Sequence, residues 1–405
     1  MSPWRRTYLV VWIADLITAI GMMSFLPFFP SYLEELGLSG PEVGVWTGMV
    51  FGAAPFVAAL MAPLWGALSD RWGRKLMMIR ALAAITIFVG CMGLVTEPWQ
   101  LLVLRLCQGF FSGFIAPSIA LVSIGAPKEL QGRVAGDMQT SMAAGSVVGP
   151  LIGAFVATEF GMRWVFAVVG LGAGLSAVLV WLFAHEGRET RRSSESRPGV
   201  WVSLREDMAK LSSNPNLRRA VVLLFAIQFG IGATNPQMEL FVRELGFSDP
   251  ERARELTSFL FAILATTILV ATPVWGRIGD AVGHRRAMMH CAVFTALAMF
   301  AHYWVAVYAA LVGARILLGL AASGAGPTSY GLAAAETPVE RRGGAFGVIF
   351  SARALAIAIS SMLGGWLSVW LSIRGVFVFG AALTLVTIAW LGWMGRSRRD
   401  QPAEA

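Results

Sequence analysis

The sequence predicts an all-α polytopic membrane protein, with twelve membrane-spanning helices in two pseudo-symmetric bundles of six. Three observations carry this. Only 14% of the 405 residues are charged and 56% are hydrophobic, against about 25% charged in a soluble domain. The apolar residues gather in long runs, among them TIFVGCMGLV and LLFAIQFGIGA, that hold no ionisable group. Blocks of the first half also recur in the second at a nearly fixed offset.

A hydrocarbon core about 30 Å thick is crossed by about 20 helical residues at 1.5 Å each. Runs that meet this requirement lie near 7–30, 43–66, 76–96, 99–124, 134–158, 163–184, 218–242, 256–276, 285–301, 305–330, 345–371 and 375–394. We number them spans 1 to 12. They lack the period-two alternation of barrel strands, and a helix satisfies its own backbone groups in lipid, so helices are expected. The first run is too long for a cleavable signal peptide and no cleavage site follows it.

Charge orients the chain. With the N-terminus in the cytoplasm, most Lys and Arg residues fall on that side, including Arg5, Arg6, Arg71, Arg74, Lys75, Lys128, Arg133, Arg277, Arg285, Arg286, Arg341 and Arg342. Arg163, Arg243, Arg252, Arg254 and Arg374 fall outside. This asymmetry predicts an inner-membrane protein with both termini cytoplasmic. The net charge of +8 then reflects topology and contact with anionic lipid, and no nucleic-acid partner is expected. Cys91, Cys107 and Cys291 fall in or beside spans, so no disulfide framework is expected.

PLWGALSDRWGRK (63–75) returns as PVWGRIGDAVGHR (273–285), an offset of 210. RLCQGFFSGFIAPS (105–118) aligns with RILLGLAASGAGPT (315–328) at the same offset, LEELGLS (33–39) with VRELGFS (242–248), and RWVF (163–166) with RGVF (374–377). Six spans per copy is an even number, so the copies face the same way about an axis along the membrane normal. The expected units are an N-terminal bundle (1–184), a cytoplasmic linker (185–217) and a C-terminal bundle (218–405). The linker is polar and Ser-rich at first. Trp201, Leu204, Met208 and Leu211 then follow helical spacing, either as a helix along the membrane surface or as a solvated one.

Gly66, Asp70, Arg71, Gly73, Arg74 and Lys75 in GALSDRWGRK resemble the loop motif between spans 2 and 3 of the major facilitator superfamily. Gly21, Pro27 and Pro30 in span 1, and Arg105, Gln108 and Gly109 in span 4, resemble patterns of its twelve-span drug–proton antiporters, a bacterial multidrug efflux family. Gly145, Gly149, Pro150 and Gly153 in span 5 resemble that group's antiporter motif, with Ala154 in place of the final glycine. The resemblance covers the whole chain. It implies a secondary active transporter and not an enzyme, in which the two halves rock about a midplane site.

In such a transporter the loop motif is read as a conformational latch. Its glycines allow close backbone approach. Asp70 suits a helix N-terminus of the other half, which the resemblance suggests is that of span 11. Asp137 is a candidate partner for Arg74. The alternative is that these charges only enforce topology. In span 5, small residues every four positions admit a neighbouring helix, and Pro150 removes a backbone donor.

No Gly-x4-Gly-Lys-Ser/Thr loop exists to hold a nucleotide phosphate. His284, His290 and Cys291 fit no common metal spacing, so no metal or other cofactor is expected. A proton gradient can supply energy through a carboxylate that burial holds protonated near neutral pH. Asp15 lies inside span 1, about 12 Å from its cytoplasmic edge by helix rise, and an acid there is a functional candidate. A structural Asp bonded to a nearby hydroxyl is the alternative. By resemblance Arg105 eases protonation changes or orients Gln108, or it is a structural arginine. Arg315 repeats its position, with Glu239 a possible partner, although Arg243 one turn from Glu239 is simpler. By resemblance spans 1 and 7 line the cavity, where Trp12, Phe25, Phe28 and Phe29 would offer aromatic surface and Gln228, Thr234 and Asn235 polar groups, with Gln108 and Arg353 as further candidates, a mixture that suits bulky amphipathic compounds.

The expected function is proton-coupled antiport, exporting small amphipathic compounds by alternating access. The alternative is transport of a specific metabolite, by uptake or export. The expected partners are the small-molecule substrate, protons and the lipid bilayer, and the chain is read as a monomer.

Overall fold

The computed structural model describes residues 2–127, 130–186, 214–337 and 342–397. Among these the regular structure is helical and no strand occurs. Trp201, Leu204, Met208 and Leu211 of the expected linker helix lie outside the described residues.

Span 1 is the helix Pro3–Phe25, a 3-10 turn Leu26–Phe28 and the helix Phe29–Glu35. Pro27 sits at the turn, where its missing N–H and fixed φ break the α pattern. Span 7 repeats the device: Pro215–Thr234, the 3-10 turn Asn235–Gln237 around Pro236, and Met238–Glu244. Spans 2 and 8 are the long helices Pro41–Trp72 and Pro250–Val282, each opening on a proline, whose absent N–H is no loss at a first helical position.

The loops after spans 2 and 8 are single residues. Gly73 (φ 100°) separates Trp72 from Arg74, and Gly283 (φ 90°) separates Val282 from His284. A side chain is strained at such angles, which accounts for a glycine at both places. Gly161 (φ 92°) joins span 5, Gln131–Phe160, to span 6, Met162–Phe183, in the same way. The equivalent corner of the second half is Ser372, the one described non-glycine residue with positive φ (62°). It divides the continuous helix Arg342–Ser397 into spans 11 and 12.

Span 4 is broken into Pro98–Phe111 and Ile115–Gly125 around Gly113 (φ 114°), and span 10 into Tyr308–Ala322 and Ala325–Glu336. Spans 3 and 9 are Arg74–Met92 and His284–Ala301. Among the described residues nine helical stretches are long and apolar enough to cross a membrane. The last of these, Ala345–Leu391, holds spans 11 and 12 together. The fourth span misses that count because residues 112–114 leave the helix altogether and divide it into pieces of 14 and 11 residues, and the ninth is an 18-residue helix opening on His-Arg-Arg. The count of twelve therefore stands.

With an even number of spans, both chain ends lie on one side, here the terminal face; the other is the far face. Each half has its own cores. Phe25, Phe28, Phe29, Tyr32 and Phe166 centre one in the first half, and Phe241 and Phe377 pack together in the second. Large apolar residues such as Leu171 (72% exposed) and Trp370 (81%) point outward, as lipid contact demands. Between helices in lipid, close packing and hydrogen bonds replace the hydrophobic drive. The halves meet where span 2 packs on span 11 and span 5 on span 8. A Cβ on Gly52 would meet the Ala358 carbonyl at 2.5 Å, and one on Gly365 the Gly44 carbonyl at 2.5 Å. Spans 2 and 11 thus cross with backbones nearly touching.

Candidate functional site

Asp15 projects from span 1 and is 1% exposed. Its Oδ2 accepts a 2.7 Å hydrogen bond from Ser118 Oγ, on the second piece of span 4. Its Oδ1 is buried and has no partner. A membrane-buried carboxylate with one oxygen unsatisfied is energetically expensive as an anion. Protonation, or an arriving donor, would relieve it.

Arg105 lies on the first piece of span 4, 2% exposed. Nε donates to the Val50 carbonyl (2.9 Å), Nη2 to the Phe51 carbonyl (3.2 Å) and Nη1 to Gln108 Oε1 (2.6 Å). The rings of Phe25 and Phe29 lie 5.7 and 5.4 Å from the guanidinium carbon. The fork is thus spread over span 2 backbone and one amide, with no carboxylate. Gln108 Nε2 faces Met22 Sδ at 3.3 Å. The structure joins Arg105 to Gln108 and Asp15 to Ser118, at opposite ends of the break in span 4. Arg315, the repeat of Arg105, donates from Nη1 to Asn235 Oδ1 (3.0 Å), while its buried Nε and Nη2 have no partner.

The span 5 glycines face span 1 of their own half. A Cβ on Gly145 would meet the Ala19 carbonyl carbon at 2.8 Å, and one on Gly149 the Ile20 carbonyl oxygen at 2.6 Å. One on Gly153 would collide with the Ser24 carbonyl. Pro150 is buried within the helix. The second half mirrors this contact, with Gly364 of span 11 against Ala233 of span 7. The motif therefore sets how closely span 5 approaches the helix that carries Asp15.

At the far face a polar cluster ties the halves together. Arg243 Nη1 donates to both oxygens of Glu34 (2.7 and 2.6 Å), and its Nη2 donates to Glu239 (2.6 Å) and Ser31 Oγ (2.8 Å). Glu239, fully buried, also accepts from the Ser31 amide (3.3 Å) and in a short bond from Ser31 Oγ. Gln237 Nε2 donates to the Gly44 carbonyl (3.0 Å).

The sequence from 11 to 253 and from 222 to 405 matches the family model described as Major Facilitator Superfamily. This chain belongs to the major facilitator superfamily. Within the superfamily it falls in the multidrug efflux group. It is 29% identical over 387 residues to "Multi-drug resistance efflux pump PmrA homolog" of Lactococcus lactis, covering 96% of this chain and 94% of that one. It is 29% identical over 408 residues to "Multidrug resistance protein MdtG" of Dickeya zeae, covering 99% and 98%. "Multi-drug resistance efflux pump PmrA" of Streptococcus pneumoniae is 31% identical over 286 residues, covering 71% of this chain and 70% of its own. Among solved structures, a bacterial homolog of the human lysosomal transporter Spinster, inward-facing and occupied, superposes with TM-score 0.80 at 13% identity over the whole of both chains. The human organic anion transporter MFSD10 gives 0.69 at 21%, over 96% of this chain and 100% of its own. At these identities the structures speak for the fold alone.

The facilitator loop motif lies on the terminal face. Gly66 has open space where a Cβ would stand, Arg71 is exposed, and Gly73 makes the turn. Asp70 belongs to the span 2 helix, and its side chain lies outside the described residues. The Arg74 and Lys75 amides donate to the Glu186 carboxylate at 2.7 and 3.2 Å. Lys75 Nζ donates to the carbonyls of Trp181 and Ala184, both at 2.8 Å. Asp137 Oδ2 accepts from the Tyr8 hydroxyl (3.2 Å), and its carbonyl accepts from Trp12 Nε1 (3.1 Å). These residues bind spans 1, 3, 5 and 6 of the first half together at this facilitator's terminal face.

Of the candidate cavity residues, Phe25 is fully buried in the core, within reach of Arg105, and Trp12 is tied to span 5. Asn235 meets Arg315, Gln228 is buried on span 7, and Arg353 is exposed on span 11. Sequence reasoning missed Ser118, Glu186, Ser31 and Glu34 as partners. One signal was present: the LEELGLS and VRELGFS repeats carry Glu34 and Arg243 at equivalent positions, with opposite charge.

Proposed function

We propose that this facilitator exports small amphipathic compounds in exchange for protons, by alternating access. The observation that carries the reading is Asp15: a carboxylate sealed inside span 1, held by one hydroxyl, with its second oxygen unpartnered. Such a group exchanges a proton more readily than it holds a charge. Its neighbour one turn along, Ala19, touches Gly145 of span 5, so a change at Asp15 reaches the span 1–span 5 contact directly. The relatives named as multidrug efflux pumps support the direction of transport and a broad substrate range.

In this account both termini and the loop motif face the cytoplasm of an inner membrane. Residues 1–184 and 218–405 move as two bodies joined by 185–217, in a monomer. The Glu34–Arg243–Glu239–Ser31 cluster closes the outer side in the present arrangement. When that cluster opens, the terminal ends of the halves meet, and Gly66, Asp70, Arg71, Gly73, Arg74, Lys75 and Asp137 form the opposing latch. Gln228, Asn235 and Arg353 offer the polar contacts of the central cavity and Trp12 its aromatic side, while Phe25, fully buried in the core, and Gln108, held by Arg105, support the wall from behind.

The test is accumulation of a lipophilic dye in inverted membrane vesicles energised by a proton gradient. Accumulation that a protonophore abolishes supports the reading. Dye movement indifferent to the gradient, with gradient-driven movement of a polar metabolite instead, favours the metabolite transporter.

A further inference from the structure

Spans 2 and 11 close on each other along only part of their length. Toward the far face Gly48, Gly52 and Gly365 press on the partner helix's backbone. On span 11 the residues of that contact, Ala358, Ser361 and Gly365, form a stripe at helical spacing that continues toward the terminal face through Phe350 and Gly347. Among the described residues nothing covers this continuation. A Cβ on Gly347 would meet no atom within 4 Å, nor would one on Gly66 of span 2, and Phe350 is 51% exposed. The halves thus diverge toward the terminal face and leave an opening between them.

Arg353 borders that opening. It is exposed, although it lies about 12 Å along the span from Ala345 and only about 8 Å short of Ala358, where the seam closes. An arginine at such depth is costly against lipid, and the lipid side of span 11 is a different one, carrying Leu363, Trp366 and Trp370. Arg353 shares its side with Ile357, Ser360 and Gly364, which pack against Gly232 and Ala233 of span 7. The guanidinium therefore stands at the inner end of the opening. Among the described residues no carboxylate is bonded to it. Asp15, the buried acid of the first half, is turned to Ser118 of span 4. The first half has no matching charge either: positions 142 and 143, at offsets of 211 and 210, are Met142 and Ala143.

We propose that Arg353 binds the anionic group of the exported compound, so that this facilitator selects amphipathic anions such as aromatic carboxylates. The assignment rests on the export reading and names its substrate class. A guanidinium held within the membrane without a counter-ion attracts an anion and repels a cation, and its planar fork matches a carboxylate. The apolar body of such a compound has a surface beside it. Tyr330 of span 10 lies within electrostatic range of Arg353. Its ring packs edge-on against Phe346, two turns from Arg353 on the same side of span 11, with 5.4 Å between centroids. The cargo thus supplies the counter-charge that the chain leaves out.

The test is calorimetric titration of the full chain in phosphatidylcholine nanodiscs, without a gradient and against empty nanodiscs. Three probes share one ring system: naphthaleneacetate, naphthaleneacetamide and naphthylethylamine. Wild type should bind the carboxylate about tenfold tighter than the amide, the scale of one charge-assisted hydrogen bond, and the amine most weakly. Arg353→Gln should bring the carboxylate down to the level of the amide and leave the amide unchanged, while Arg353→Lys should keep most of the preference. The wild-type comparison needs no variant, so the inference stays testable if the substitutions fail to fold. Wild type that binds the amide or the amine as tightly as the carboxylate, or binds none of the three, overturns the proposal. Arg353→Gln that weakens all three alike makes Arg353 a structural residue and overturns it too. Vesicles that pump a dye in exchange for protons but show no such charge preference refute the anion assignment alone. A charge preference without gradient-driven movement refutes the export reading alone.

Discussion

Glu34 and Arg243 stand 209 residues apart, occupy equivalent positions in the two halves, and pair at 2.6 Å across the seam at the far face. Residues related by a pseudo-two-fold axis meet when they lie close to it. Identical charges there would repel, and this sequence has made them opposite. Arg243 is the hub, because it also neutralises the buried Glu239.

Breaking the hub should open the far face. Arg243→Ala leaves Glu239 buried without its cation, an arrangement that is strongly destabilising in general. Spin labels at Ser39 and Ser248, exposed loop positions beyond the clasp, should report longer distances in the variant. The exchanged pair E34R/R243E should recover part of the closed population. A double-mutant cycle should give a coupling of about 1–3 kcal/mol, typical of charge-assisted hydrogen bonds. Unchanged distances in Arg243→Ala would mean that packing of spans 2 and 11 alone holds that side shut.

Enlarging Gly153 should be poorly tolerated. Even a methyl group there strikes the Ser24 carbonyl, and overpacking of this kind typically costs 1–3 kcal/mol. Gly153→Ala should lower both melting temperature and transport rate. The same change at Gly66, where the space is open, should leave the melting temperature unchanged. Equal effects at the two sites would refute the packing argument.

Ser372→Gly should stabilise the protein. Ser372 has φ 62° and ψ 167°, a region that suits glycine and costs other residues about 1–3 kcal/mol. The equivalent corner of the first half is already glycine, Gly161. After the entropy glycine adds to the unfolded chain, a net gain of about 1 kcal/mol is expected, read as a higher melting temperature in detergent. A lower one would show that the corner relies on the Ser372 side chain.

Glu186→Ala should loosen the join between spans 3 and 6. The variant strands the Arg74 and Lys75 amides at a helix start, a loss of about 1–2 kcal/mol by analogy with a removed N-cap. Hydrogen exchange at the first turn of span 3 should quicken, while that of span 9 in the other half should be unaffected. Uniform exchange across both spans would remove Glu186 from this role.

Much of this architecture could be read in advance. The span 4 and span 9 boundaries expected from sequence, 99–124 and 285–301, lie within a few residues of the observed helices, because apolar run length is set by the bilayer. From sequence Gly73 reads as admitting close backbone approach, whereas the structure uses it as the one-residue turn between spans 2 and 3 at φ 100°. The partners were harder. Asp15 stood out as an acid in a greasy run, but nothing local in the sequence marks Ser118 as its donor 103 residues away. The span 5 motif showed that a helix packs closely there without showing which; span 1 wins because Gly145, Gly149 and Gly153 share its side of the helix. The break in span 4 at Gly113 was hidden, since a run of apolar residues reads the same through a short kink.

Proton coupling through Asp15 is the central claim, and simultaneous recording of dye and protons in proteoliposomes tests it most directly. Wild type should move protons inward as dye leaves. Asp15→Asn, which keeps the size and the bond to Ser118 while removing the exchangeable proton, should still bind dye but should not concentrate it against a gradient or move protons. If Asp15→Asn pumps dye at the wild-type rate with protons moving in exchange, the coupling lies elsewhere and Asp15 is only a structural partner of Ser118.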